Sequence, residues 1–199
     1  MRIKSPFAIE ARYRMKRDIA WTGDKAHFTE TCTLDTPHMI VNVRTTAATV
    51  QDDMVLIPIH AALEQRALLP TVHLVDAGYT HVTNLQLSTH MYGVDVVGPV
   101  ADDPRWQARA RTEFDHTQFA SDWQRQVVTC PRGKQSVTWV TVRDERANAA
   151  YLVRFARADC AAGASREHCT RSISSRQLTR DTQERYTVFA RARVRQQTE

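Results

Sequence analysis

Apolar and polar positions divide the chain into a regular first half and an irregular second. Residues 19–32 alternate imperfectly as a strand does, from Ile19 and Trp21 through His27 to Cys32. Residues 38–50 supply a second strand, with Met39, Ile40, Val41 and Val43 followed by Thr45 and Thr46. Asp35-Thr-Pro37 separates the two as a turn and predicts an antiparallel hairpin. Asp52 or Asp53 then caps a helix running to about Leu69, with apolar positions 56, 59, 63 and 67 at helical spacing. Pro58 falls in its first turns, where proline is best tolerated. A short apolar run from Thr71 ends at Asp76, a helix follows over roughly 80–91, and residues 94–100 make another strand. The order β-β-α-β-α-β, with a helical crossover between the later strands, predicts parallel pairing there and a mixed sheet overall.

From residue 101 to 142 the pattern breaks up. Trp106, Phe114, Phe119, Trp123 and Trp139 stand among polar residues, which reads as a short-stranded insertion with its own small aromatic core. Residues 150–157 make one more strand, and residues 177–198, free of proline and glycine, read as an Arg-rich helix. The class is therefore α/β, in three stretches: a core over 1–100, a Cys/Trp-containing insertion over 101–175, and a C-terminal helix over 176–199.

Asp76 is the most informative single residue. Val72, Leu74 and Val75 precede it and Gly78-Tyr79 follows, so a buried strand ends in one carboxylate at a tight turn. An ionised carboxylate at that place is readily kept by a cation, a metal or a substrate. A helix N-cap or turn role is the other reading, and the commoner one for aspartate. Asp24, Glu30 and Asp35, on or beside the first hairpin, are the carboxylates that could approach it; spacing singles out none of them.

Composition alters this picture little, and charge alters it more. The 42% hydrophobic and 25% charged residues fit a folded globular chain. No stretch approaches the ~18–20 uninterrupted apolar residues of a membrane span, and the N-terminus lacks the apolar core of a secretory signal. Four cysteines without a tight paired framework make a reducing cytoplasm the default. Net charge is +5. Residues 1–142 carry 15 basic and 15 acidic residues, whereas residues 143–199 carry 12 arginines, no lysine and 7 acidic residues. The surplus thus sits in the last third as arginine, the side chain suited to phosphate forks, so DNA is a candidate partner. An arginine-rich solvated surface is the plain alternative.

Cys130-Pro-Arg-Gly133 resembles a zinc-knuckle turn, and Cys160 and Cys169 lie on a polar stretch. Structural zinc takes four Cys or His ligands, commonly with a closely spaced cysteine pair. Gly163 stands where that pair would be completed, so Cys130, Cys160 and Cys169 form a degenerate zinc set, with free buried thiols as the alternative. The eight histidines show no helical ligand pair, and no nucleophile-elbow, Walker A or dinucleotide glycine pattern occurs.

A series of short motifs adds a further level. In order they are Ser5-Pro-Phe7, Glu10-Ala-Arg-Tyr13, Lys16-Arg-Asp18, Trp21-Thr-Gly23, His27-Phe-Thr-Glu-Thr-Cys32, Asp35-Thr-Pro-His38 and Ile59-His-Ala-Ala-Leu63. Then come Leu68-Leu-Pro70, His73-Leu-Val-Asp-Ala-Gly-Tyr79, Asp95-Val-Val-Gly-Pro99, Trp106-Gln-Ala108, Asp122-Trp123, Val128-Thr-Cys-Pro131, Val153-Arg-Phe155, Asp159-Cys160 and Cys169-Thr-Arg171. Together they make the chain resemble the DDE transposases of bacterial insertion sequences through nearly its whole length. The resemblance implies a ribonuclease-H-like core, partial in this chain. It also implies Mg²⁺-dependent DNA cleavage and strand transfer in the full-length relatives, with homodimers as a state compatible with that family.

In that family three acidic residues hold two divalent ions, and the second of them matches Asp76. The first falls before residue 1 and the third beyond Glu199, which is not matched to it. The resemblance therefore implies a truncated, inactive transposase domain. Arg171, Arg176, Arg180, Arg185, Arg191, Arg193 and Arg195 would be its inherited DNA-backbone contacts. A non-catalytic DNA-binding module and a non-functional gene remnant are the alternatives. Ala8-Ile9, Asp24-Lys-Ala-His27 and Cys160-Ala-Ala-Gly163-Ala164 depart from the family's pattern, as relaxed selection would leave them.

Overall fold

The structure is a computed structural model that describes residues 7–16, 18–144, 146–161 and 163–198. Ser5 and Pro6 of the first motif, Arg17 of the third, Ala162 of the cysteine stretch and Glu199 lie outside the described residues. The chain forms two compact units, residues 1–100 with 192–199, and residues 101–191.

In the first unit an antiparallel sheet runs in the order β1 (Arg12–Lys16), β2 (Ile19–Glu30), β3 (Ile40–Ala47). The anticipated hairpin is β2–β3, with Asp24 opposite Ala47, Phe28 opposite Val43, and a bulge between Thr29 and Glu30. Strand β1, Arg-Tyr-Arg-Met-Lys, leaves its apolar Tyr13 and Met15 exposed and is held by pairing with β2, Arg12 opposite Gly23. Side chains alternate across a strand. On β2 this buries His27 and Thr29 and turns Phe28 outward, so this sheet places polar groups inside.

A single helical turn at Asp52–Met54 leads into α1 (Leu56–Glu64). Val55, Ile59 and Leu63 form a buried cluster in this unit, with Val41, Val50, Leu69 and Tyr79 packed against them. The helix is shorter than its periodicity predicts. Leu68 N–H donates to Leu63 O at 2.9 Å and Ala67 adopts φ +52°, so the chain turns before Pro70 and Ala67 stays exposed. Strand β4 (Val72–Leu74), helix α2 (Val82–Tyr92) and strand β5 (Asp95–Val97) then form the anticipated parallel crossover, His73 lying opposite Val96. Gly93 ends α2 at φ +65° and Val94 N–H reaches back to Ser88 O at 3.1 Å, a left-handed C-terminal cap. Gly98 is required by close approach, because a Cβ there would stand 2.2 Å from the Val75 carbonyl oxygen.

The α/β class stands. Among the described residues, however, the strands pair as a three-stranded antiparallel sheet and a separate two-stranded parallel one rather than as one mixed sheet.

The second unit contains α3 (Trp106–Arg109), a hairpin of β6 (Ala120–Asp122) and β7 (Val127–Thr129), and strands β8 (Ser136–Arg143) and β9 (Ala149–Phe155). Two short helices follow, α4 (Arg157–Ala161) and α5 (Arg166–Cys169), then β10 (Gln177–Asp181) and α6 (Gln183–Thr198), of which only the part to Arg191 belongs to this unit. Strands β8, β9 and β10 form an antiparallel sheet with β9 central. Its core joins Phe114, Phe119, Val128, Val153, Phe155 and Leu178. Trp123 and Trp139 meet edge to face at 5.5 Å between centroids and pack with Tyr151 and Tyr186. The aromatic core of the insertion is thus real but shared with later strands. Residues 177–181, expected as the start of a helix, are the strand β10 instead.

Candidate catalytic and nucleic-acid-binding residues

The Val75 N–H donates to Val97 O at 2.8 Å, which carries the parallel pairing one residue past β4. The next residue is Asp76, whose carbonyl accepts from Tyr79 N–H at 2.9 Å and closes a turn over Asp76–Tyr79. The cap of α2 is His81, whose ring accepts from Thr83 N–H at 3.3 Å. Asp76 is therefore a turn residue and caps no helix. Its side chain is exposed, and no hydrogen bond or ion pair engages its carboxylate among the described residues. A free carboxylate lies at the carboxyl end of a parallel strand, the end where α/β sheets bind ligands.

Two polar links brace this turn. Tyr79 hydroxyl and His27 Nδ1 lie 2.5 Å apart, and His27 Nε2 lies 3.0 Å from Thr46 Oγ1. Burial, then Lys25, lowers the His27 pKa, while burial, then Asp52 and Asp76, raises that of Tyr79. Both shifts favour the neutral forms, and each hydroxyl can donate to or accept from the ring nitrogen it faces, according to the His27 tautomer. The second link is Asp52, which packs on the turn so closely that a Cβ at Gly78 would meet its Oδ2 at 3.1 Å. Lys25 Nζ lies 2.5 Å from Asp52 Oδ1, and Lys16 lies 4.0 Å from Oδ2. Burial acts to raise the Asp52 pKa, but the Lys25 hydrogen bond and the two ammonium charges outweigh it and hold the carboxylate ionised.

Asp52, Lys25, His27 and Tyr79 are the site residues that sequence reasoning left aside. The available signal was parity, since Lys25 and His27 share the inward face of β2 with Thr29. The carboxylates considered beforehand do not share that face: Asp24 and Glu30 point outward with Phe28, and Asp35 is exposed on the turn. Among the described residues, no group of three or more His, Cys, Asp or Glu side chains is placed to hold a metal ion. A two-ion centre needs several converging carboxylates. Asp76 alone does not fit one, so no catalytic step follows from these residues.

Cys130 begins a tight turn in which Gly133 N–H donates to Cys130 O and Cys130 N–H to Lys134 O, both at 2.8 Å. Cys160 lies on α4 and Cys169 ends α5, and all three thiols are free, half-buried and packed on the core of the second unit. His168, the other nearby donor, is exposed and faces Glu167.

The seven arginines divide sharply. Strand parity places Leu178 and Arg180 of β10, and Arg176 just before it, on the inner face, and all three are buried. Arg180 is fully buried and donates to Phe119 O, to His116 O at 2.9 Å and to His116 Nδ1 at 3.0 Å. Arg176 donates to Cys169 O at 3.0 Å, and buried Arg185 pairs with Asp181 at 3.3 Å. These three are committed to the interior as placed. Arg171 is exposed with its guanidinium 4.7 Å from the centroid of Trp106; Arg191 is exposed, and Arg193 is half-buried. Arg195 is exposed but forks onto Asp95, with N···O contacts of 3.1 and 3.3 Å.

Fold and site define an α/β protein with one free carboxylate at the end of a parallel strand and a second unit rich in arginine. Residues 129–199 match the family model described as Transposase DDE domain. The match takes in the cysteine turn, β8 to β10 and α6, and does not reach Asp76. No curated protein and no solved structure matches the chain. Among the described residues, no helix is long and apolar enough to cross a membrane.

Proposed function

We propose that the chain is part of the catalytic domain of an insertion-sequence DDE transposase, that Asp76 is its magnesium-binding carboxylate, and that its exposed arginines engage the DNA backbone. The carrying observation is the free Asp76 carboxylate at the carboxyl end of β4, in an element order compatible with a ribonuclease-H-like core. The family match over residues 129–199 supports it independently. With Asp76 the one free carboxylate at the site among the described residues, the chain binds DNA without cleaving it. The phosphate contacts fall on the exposed Arg171 and Arg191, with Arg195 available once released from Asp95. Cytoplasmic DNA is the partner.

A supercoiled-plasmid nicking assay with Mg²⁺ tests the catalytic half of this reading. No nicking is expected, and nicking that is lost in Asp76→Ala would show a working centre instead. Fluorescence anisotropy with duplex DNA across a salt series tests the binding half. Affinity is expected to fall steeply with salt, with a slope of about −0.9 per phosphate contact. Absent or salt-independent binding removes it.

A further inference from the structure

The second unit contains a cavity of about 440 Å³ that neither DNA cleavage nor the arginine contacts use. Its size falls in the range of small-molecule sites, roughly 300–1,000 Å³. Phe114, Phe119 and Phe155 supply aromatic wall. Arg176 also lines it, at 8% exposure. One of its guanidinium nitrogens donates to Cys169 O, its Cζ lies 5.6 Å from the Phe119 centroid, and its buried Nε has no hydrogen-bond partner. A buried donor left unmade costs about 1–3 kcal/mol, so this cavity-lining residue carries a polar demand that a ligand reaching Nε would meet. The remaining charged lining is Arg132, Lys134 and Arg166 against the single carboxylate of Asp159, which Lys134 already pairs at 3.2 Å. The lining thus carries four cations and one anion.

The geometry points to a binding site for an aromatic phosphate monoester, its ring among the phenylalanines and its phosphate on Arg176 with the rim cations. Planar guanidinium forks suit phosphate, and aromatic walls take a flat ring. The cavity and Asp76 belong to different units, and the site does not depend on the chain's action on DNA.

Three of the four cysteines, Cys130, Cys160 and Cys169, line this cavity, whereas Cys32 is exposed in the other unit. Burial raises the Cys169 pKa, so alkylation is best followed at mildly alkaline pH. The test is site-resolved iodoacetamide labelling of the wild-type chain with phenyl phosphate, deoxyadenosine monophosphate or inorganic phosphate. Phenyl phosphate, the aryl ester, is expected to slow labelling of Cys130, Cys160 and Cys169 and leave Cys32 unchanged. Protection by phenyl phosphate alone selects a small aryl body, and protection by both admits a nucleotide. Equal protection by inorganic phosphate, uniform slowing at all four thiols, or no protection overturns the proposal. Calorimetry on Arg176→Gln, and on the rim variant Arg132→Ala should the first not fold, is expected to show roughly 10- to 100-fold weaker phenyl phosphate binding. Unchanged affinity in a folded variant also overturns it.

Discussion

Replacing Arg180 by methionine separates an interior role from a DNA role. Arg180 is fully buried, and its donors reach Phe119 O, His116 O and His116 Nδ1. Hydrogen bonds from a charged donor contribute about 1.5–3 kcal/mol each, so three amount to roughly 5–9 kcal/mol before costs. Against this stands the burial of a guanidinium with no ion pair, a penalty of several kcal/mol. The net loss in Arg180→Met is therefore about 2–4 kcal/mol, since two buried carbonyls and an imidazole lose their donor. With a urea dependence of about 1–3 kcal/mol/M, the unfolding midpoint should fall by on the order of 1–2 M. Tryptophan fluorescence reports it, because Trp123 and Trp139 lie in the same unit as Arg180. His116 supplies a second readout: burial, then the Arg180 charge, lowers its pKa to about 4, and in Arg180→Met it should rise toward 6.5. A variant with unchanged midpoint and unchanged His116 titration, but weakened DNA binding, would refute the interior assignment and restore Arg180 as a phosphate contact.

Four further outcomes follow from the same geometry. His60 and His116 both have pKa values lowered to about 4. A depressed histidine pKa gives stability that is present above about 6.5 and is lost as pH falls toward 4, so thermal midpoints should drop across that window. His116→Gln should flatten part of the drop. Gly98→Ala should destabilise the first unit by about 1–3 kcal/mol, read by chemical denaturation, because its Cβ would collide with the Val75 carbonyl. Asp52→Asn should lower the Tyr79 pKa by removing a nearby negative charge, as followed by phenolate ultraviolet absorbance. Asp76→Ala should leave the unfolding midpoint within about 0.5 kcal/mol of wild type, since its carboxylate holds nothing in place.

The first half of the fold was legible because its elements carry unmixed signals. The hairpin turn at Asp35–Pro37, the positions 56, 59 and 63 of α1 and the crossover after Pro70 each obey one period. Strand β1 was not, since its short alternation in Arg-Tyr-Arg-Met-Lys is inverted, with Tyr13 and Met15 exposed and the arginines half-buried, and it is a strand through pairing with β2. At β10 the absence of proline and glycine resembled a helix, and only the two-residue spacing of Arg176, Leu178 and Arg180 signals a strand. That one misreading turned buried arginines into surface ones. Asp76 was legible through the abrupt end of its apolar run. The Lys25–Asp52 and His27–Tyr79 links were not, because they join residues far apart in sequence through a sheet whose polar side faces inward.

The central claim, that Asp76 is the metal-binding carboxylate of this chain, is tested most directly by paramagnetic Mn²⁺ in a backbone NMR titration. The account predicts line broadening centred on Asp76, Ala77 and Gly78 that is abolished in Asp76→Ala. Broadening centred elsewhere, or unchanged by that substitution, would contradict it.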